Sequence, residues 1–224
     1  MDAVIKIGGS LAEDPERLRA LCRKLSDLSK NYAFIVVPGG GRFADVVRDF
    51  GQQFNLPNDI SHRLAILAMD QFGLLLSQII PDSSATYSLD EAKQLANRGI
   101  VPVFLASQLM FKEEPLDNSW DVTSDSIAAY VAGRVSAKKL VLATDVDGVF
   151  TSDPKKHSDA KLIERLSAEE LQELKQRTSV DRFLPKLLLE IGIDCYVVNG
   201  KRPNRVGAVM SGQLATCTFV SART

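Results

Sequence analysis

The sequence predicts an α/β fold in which helices cover both faces of a mainly parallel β-sheet. Three observations carry that prediction. Runs rich in valine, isoleucine and phenylalanine alternate with helix-period segments along nearly all of the 224 residues. The runs show little strict apolar–polar alternation, as strands covered on both faces do. The unusual residues also gather where strands end, at KIGGS (6–10), PGGG (38–41), TDVDG (144–148) and VNG (198–200). Ligands of parallel sheets bind at those carboxyl ends.

Taken in order, Ala3 to Ile7 reads as the first strand and Pro15 to Lys30 as a helix with proline in its first turn. The strand Ala33 to Val37 runs into three glycines, and a helix from Arg42 to Phe54 follows. The next helix, Ser61 to Ile80, is apolar on more than one face. Burial in the core and pairing with another subunit explain that equally well. Leu89 to Asn97 is helical, Ile100 to Leu105 a strand, and Ser124 to Gly133 a helix of small residues ending on glycine. The strand Leu140 to Thr144 precedes an acidic, glycine-containing turn. Helices at Ala168 to Gln176 and Leu184 to Ile191 follow, the second with Pro185 at its start and Gly192 at its end. Strands at Asp194 to Val198 and Thr216 to Val220 complete the pattern. No repeat, linker or low-complexity tract divides it, so one domain over 1–224 is expected.

Composition narrows the function. The chain is 45% hydrophobic and 25% charged with formal net charge −1, which gives nucleic-acid binding no basic footprint. No stretch approaches the roughly 20 apolar residues of a membrane span. The opening MDAVIKIGGS reads as a strand rather than an export signal. Cys22, Cys195 and Cys217 are odd in number and widely separated, as reduced thiols of a cytoplasmic protein would be.

FIVVPGGGRFADVV (34–47) poses the functional question. Glycine removes the Cβ, and a helix start offers unpaired N–H groups, so the junction suits either a tight turn or an anion. A dinucleotide site fails on context. Gly39, Gly41 and Ala44 fit GxGxxG/A, but that site needs an acid ending the next strand about 20 residues on. Here Asp59 falls between helical patterns and Asp70 inside one. The Walker and protein-kinase signatures are absent. Beside a plain tight turn, the other reading is a cradle for phosphate or carboxylate in phosphoryl transfer, which needs backbone donors and fixed cations.

Lys6, just before Gly8, Gly9 and Ser10, supplies a cation inside an apolar strand, a costly placement unless the charge is paired or used. Ser124 and Asp125 open the small-residue helix, where Asp125 either complements the helix dipole or serves two lysines. Asp145, Asp147, Asp153 and Lys155 lie in TDVDGVFTSDPKK, a solvated loop or a nucleotide contact. Lys186, in the first turn after Leu184, is an ordinary surface lysine taken alone and a second cation taken with Lys6 and Asp125. His157 lies in a polar loop. His62 opens the apolar helix, where capping and substrate contact both fit. Neither has metal-ligand spacing.

KIGGS, VPGGG, TSDS, TDVDGVFTSDPKK and LPK, in this order, resemble the amino acid kinase family, and the match spans nearly the whole chain. The resemblance implies a three-layer αβα sandwich around a mainly parallel sheet of about eight strands. It implies acceptor over the N-terminal half and Mg²⁺–ATP over the C-terminal half. Lys6 would steady the transferring phosphoryl group and Asp125 would orient the lysines. Gly8, Gly9 and Gly39, Gly40 and Gly41 would offer N–H groups. Thr144, Asp145, Val146, Asp147, Gly148, Val149 and Phe150, with Asp153 and Lys155, would shape the nucleotide slot, and Lys186 would assist departure of ADP.

ISHRLAILAMDQFG, NSWDVTSDS and TSVDRFLP are most similar to the branch that phosphorylates [5-(aminomethyl)furan-3-yl]methyl phosphate, in methanofuran biosynthesis, to a diphosphate. Trp120 or Phe43 could then meet the furan ring and Asp70 the ammonium group; core packing and a solvated helix face are the commoner roles for such residues. The implied protein is a cytoplasmic homo-oligomer acting on a small phosphate ester, with neither nucleic acid nor membrane as partner. Uridylate, isopentenyl phosphate and carboxylate kinases, or a non-catalytic oxyanion binder on the same fold, are the alternatives.

Overall fold

β1 (Ala3–Ile7) runs through the centre of an eight-stranded sheet with all five residues buried. The computed structural model describes residues 1–116, 121–174 and 179–222. Parallel neighbours flank β1, with β2 (Phe34–Pro38) on one side and β5 (Leu140–Thr144) on the other. Beyond β2 come β4 (Val101–Phe104) and the edge strand β3 (Ser83–Thr86), both parallel. Beyond β5 come β9 (Cys195–Asn199), parallel, then β10 (Cys217–Ser221), antiparallel to it, and β8 (Arg165–Ser167), parallel to β10. A separate two-stranded ribbon pairs β6 (Val149–Phe150) with β7 (Leu162–Ile163). The expected mainly parallel sheet of eight strands between two helical layers is the one observed.

The alternation of side chains along a strand decides what each layer receives. Ala3, Ile5 and Ile7 join a core with α1 (Pro15–Ser29), the Phe72 and Leu76 side of α3 (Asn58–Ile79), and α9 (Pro203–Ser211). Val4 joins the opposite core with α6 (Ser124–Arg134) and α8 (Leu184–Ile191). Lys6 has the parity of Val4, so it points into the layer that contains Asp125.

α1 begins where Pro15 fits the first turn and the Asp14 side chain accepts the Arg17 N–H at 3.1 Å. α8 ends on Gly192 in the left-handed region (φ 70°), as expected. Gly133 does not end α6, which continues to Arg134; a Cβ on Gly133 would come within 3.1 Å of Ile191, so its absence lets α6 lie on α8. α7 (Ala168–Glu173) is shorter than expected, and Gln176 lies outside the described residues.

α3 has two apolar faces. Ile66, Met69, Phe72 and Leu76 are buried, while Ile60, Leu64, Leu67, Leu74 and Leu75 are exposed. α2 (Gly41–Gln53) buries none of its residues and exposes Phe43, Val46 and Phe50. α4 (Leu89–Asn97) and α5 (Ser107–Glu113) flank β4 in sequence.

Candidate active site

Lys6 and Asp125 meet. The ammonium lies 2.7 Å from Asp125 Oδ1, and the two side chains are 9% and 7% exposed. Neither charge is sustainable alone at that depth, and each answers the other's desolvation. Asp125 Oδ2 accepts the Asp181 N–H at 3.2 Å. Burial pushes the Asp125 carboxyl above its ordinary range, with nearby Asp181 adding to the push and Lys6 opposing it. Asp125 stands in the first turn of α6, capped by Thr123, and small buried neighbours (Ala128, Ala129, Ala132) let that helix sit close to the sheet.

Beside the pair, two glycine turns interlock. A Cβ on Gly9 would fall 2.0 Å from the Gly41 nitrogen, and one on Gly39 would fall 2.7 Å from the Gly9 nitrogen. Gly41 has φ 54°, a conformation glycine adopts without penalty. The missing side chains therefore let the ends of β1 and β2 touch. Gly8 N–H donates to Ala143 O and Gly39 N–H to Ile7 O, both at 2.8 Å, so those two amides are spent within the sheet. Gly9 and Ser10 keep their place at the cavity wall.

That cavity, about 480 Å³, opens between the ends of β1 and β5. From the expected set it gathers Lys6, Gly8, Gly9 and Ser10 on one side. Thr144, Asp145, Gly148, Phe150, Asp153 and Lys155 form the other. Burial disfavours the charged form of Asp145, but the hydrogen bond and charge of Lys155, with Lys201 helping, carry its carboxyl below the usual range. The Asp153 side chain accepts the Lys155 N–H at 3.0 Å and shapes the DPxK turn.

Other expected residues stand apart. Asp147 turns to Asn199 (2.8 Å) and Arg205 (2.6 Å) and is not part of the cavity wall. Val149 is fully buried in β6. Lys186 is 58% exposed, 3.8 Å from Glu190 and over the Phe183 ring. His62 is buried in the first turns of α3, and Ser124 opens α6; neither lines this cavity.

Asp70 does not lie on a solvated face. It is 5% exposed, Oδ1 accepts the Ser107 N–H at 3.4 Å, and burial raises its carboxyl above the ordinary range. Phe43 is 41% exposed rather than core, and Trp120 lies outside the described residues.

Sequence reasoning passed over Ser152, Lys156 and Ser179, which also line the cavity, and read His157, another lining residue, only as part of a polar loop. It also passed over Asp181, whose signal, an acid in a polar turn, is too common to single out. Among the described residues no group of three or more His, Cys, Asp or Glu is placed to hold a metal ion. None of their helices is long and apolar enough to cross a membrane.

Residues 1–199 match the model of the amino acid kinase family. The [5-(aminomethyl)furan-3-yl]methyl phosphate kinase of Methanocaldococcus jannaschii is 33% identical over 212 residues, covering 94% of this chain and 93% of that protein. The uridylate kinase of Thermofilum pendens is 29% identical and covers 98% and 97%. Among solved structures, the uridylate kinase of Archaeoglobus fulgidus superposes with a TM-score of 0.76 at 23% identity, over 99% of this chain and all (100%) of that one. The UMP kinase of Bacillus anthracis gives 0.77 at 18% identity, over 99% and 96%. At such identities the superpositions establish the fold alone.

Proposed function

The chain belongs to the amino acid kinase family, and from that premise we propose that it transfers the γ-phosphoryl group of ATP to [5-(aminomethyl)furan-3-yl]methyl phosphate, giving a diphosphate. The observation that carries the reading is Lys6, held by buried Asp125, at the wall of a cavity between glycine turns and an acid–lysine loop. The 33% identity to a kinase of that name favours this acceptor over uridylate.

Both reactants are anionic, so repulsion is the obstacle. Positioned cations and amides lower it because they need no reorganisation as charge shifts to the bridging oxygens. In this reading Lys6 meets the transferring phosphoryl group while Asp125 holds the ammonium in place. The amides of Gly9, Gly40 and Gly41 face the phosphates. The slot lined by Thr144, Asp145, Val146, Gly148 and Phe150, with Asp153 and Lys155, takes the nucleotide. Asp145 and Asp153 are the cavity's carboxylates that would help hold Mg²⁺ on the nucleotide, where it would offset phosphate charge. Lys186 reaches the departing ADP from the first turn of α8; its hold on Glu190 is exposed and cheap to release. A phosphate monoester is already ionised at neutral pH, so no general base is required.

The acceptor half, in this reading, is the N-terminal part of the chain and the nucleotide half the C-terminal part, acting as one domain in the cytoplasm. Copies pair through α2 and α3, which pack on each other. Nine apolar side chains on the two helices and at Phe54 between them, from Phe43 to Leu75, are 36% to 63% exposed. They offer on the order of 800 Å² per copy, the size of a standard interface.

The test is ADP release with a panel of acceptors: the aminomethylfuran phosphate ester, UMP, isopentenyl phosphate and an amino acid carboxylate. Highest kcat/KM with the furan ester supports the reading. Highest kcat/KM with UMP reassigns the acceptor, and ATP binding without ADP from any acceptor rejects catalysis.

A further inference from the structure

Asp181 returns to the site from the loop before α8, and its carboxylate accepts five hydrogen bonds from described residues. Its Oδ2 accepts the Thr123 N–H (2.9 Å), the Thr123 hydroxyl (2.9 Å) and the Ser126 N–H (3.0 Å). Its Oδ1 accepts the Ser126 hydroxyl (2.6 Å) and the Leu184 N–H (2.8 Å). The amides among these belong to the starts of α6 and α8, whose first N–H groups have no partner inside the helix. One carboxylate therefore fastens two helix starts that lie more than fifty residues apart in sequence. Its own N–H goes to Asp125 Oδ2 at 3.2 Å.

Capping alone would explain the carboxylate. It does not explain what the main chain of Asp181 does. Among the described residues the Asp125 carboxylate meets the Lys6 ammonium on Oδ1 and the Asp181 N–H on Oδ2. The orientation of the acid that holds Lys6 thus depends on where the Asp181 backbone stands. That backbone is pinned by the bonds its own side chain makes to the helix carrying Asp125. Two residues earlier, Ser179 lines the cavity and donates to Gly148 O at 3.0 Å. The same short loop is therefore wall for the nucleotide and brace for the catalytic pair.

We propose that Asp181 is a positioning residue for phosphoryl transfer, which acts by fixing Asp125 and through it the Lys6 ammonium. The inference rests on the reading of Lys6 and Asp125 as the catalytic pair. A displacement of about 1 Å at a reacting group can cost on the order of 100-fold in rate.

The experiment is a double-mutant cycle on kcat, measured by ADP release with ATP and the furan phosphate ester, alongside thermal melts. Asp181→Ala is expected to lower kcat about 100-fold with KM for ATP within about three-fold. Added to Asp125→Ala, it is expected to lower kcat by less than about three-fold, because the group it positions is already gone. Ser126→Ala, which removes one donor in a fully buried position, is the milder probe should Asp181→Ala not fold. It is expected to lower kcat several-fold in the wild-type background and not in the Asp125→Ala background. Equal losses in both backgrounds, or a lowered melting temperature with unchanged kcat, overturn the positioning role. Wild-type turnover in Asp125→Ala overturns the catalytic pair itself and this inference with it.

Discussion

Neutralising the buried pair, one side at a time and then together, separates its structural work from its chemical work. Lys6 and Asp125 sit 2.7 Å apart at under one-tenth exposure. Leaving either charge unpaired there costs about 3–5 kcal/mol, whereas replacing both by neutral groups is close to neutral for stability. Lys6→Met should therefore destabilise the fold, and Lys6→Met with Asp125→Asn should restore most of the loss.

The pH dependence has a definite sign. Burial, with the Asp181 charge adding to it, raises the folded-state value of Asp125 above 3.8, and Lys6 opposes the rise with help from the Asp181 N–H. Removing Lys6 lifts it further. A raised acid costs nothing while it is protonated in both states, grows costlier as pH climbs from its unfolded value to its folded value, and levels off above that. The Lys6→Met penalty should thus be largest at pH 8 and shrink towards pH 5. Turnover should not follow stability. The double variant should remain 10²- to 10³-fold slower, about 2.7–4 kcal/mol of lost transition-state stabilisation. Urea unfolding at three pH values and ADP release at saturating substrates read the two quantities. A Lys6→Met protein as stable as wild type at pH 8, or a double variant with recovered turnover, would refute the reasoning.

Gly9→Ala should be poorly folded or destabilised by about 1–3 kcal/mol or more, because its Cβ would overlap the Gly41 backbone at 2.0 Å; an unchanged melting temperature would show that the turns separate easily. Lys186→Ala should lower kcat on the order of 10-fold or more with little change in melting temperature, since its contacts are exposed; unchanged kcat would remove it from the reaction. Leu67→Lys with Leu74→Lys, at positions 42% and 50% exposed, should shift the protein towards monomer in light scattering without unfolding it, and an unaltered mass would move the interface elsewhere.

The strands of the sheet centre were legible because burial on both faces leaves continuous apolar runs such as LVLAT and FIVVP. β3 was not, because SSAT at the sheet edge is short and polar. β8, with RLS, is too brief to carry a pattern. α9 was missed because PNRVGAVMS is short and holds a central glycine, packed against the stem of Lys24.

At the site, Lys6 stood out because a lysine inside an apolar strand needs a partner, and Asp125 because it opens a helix of small residues. The glycines pointed to an anion, but sequence could not reveal that they also fit one another backbone to backbone. Asp145 and Asp147 looked alike in TDVDG; only three-dimensional placement turns one to the cavity and the other to Arg205. Asp181 was invisible because its partners Thr123 and Ser126 are distant in sequence.

Phosphorus NMR of the protein mixed with ATP, Mg²⁺ and the furan phosphate ester tests the central claim most directly. Transfer to the phosphate oxygen predicts that the ester's single resonance gives way to the coupled pair of a diphosphate as ADP appears, and that Lys6→Met abolishes the change. An unaltered ester resonance while UMP is converted to UDP under the same conditions, or ADP formed with free phosphate alone, would contradict it.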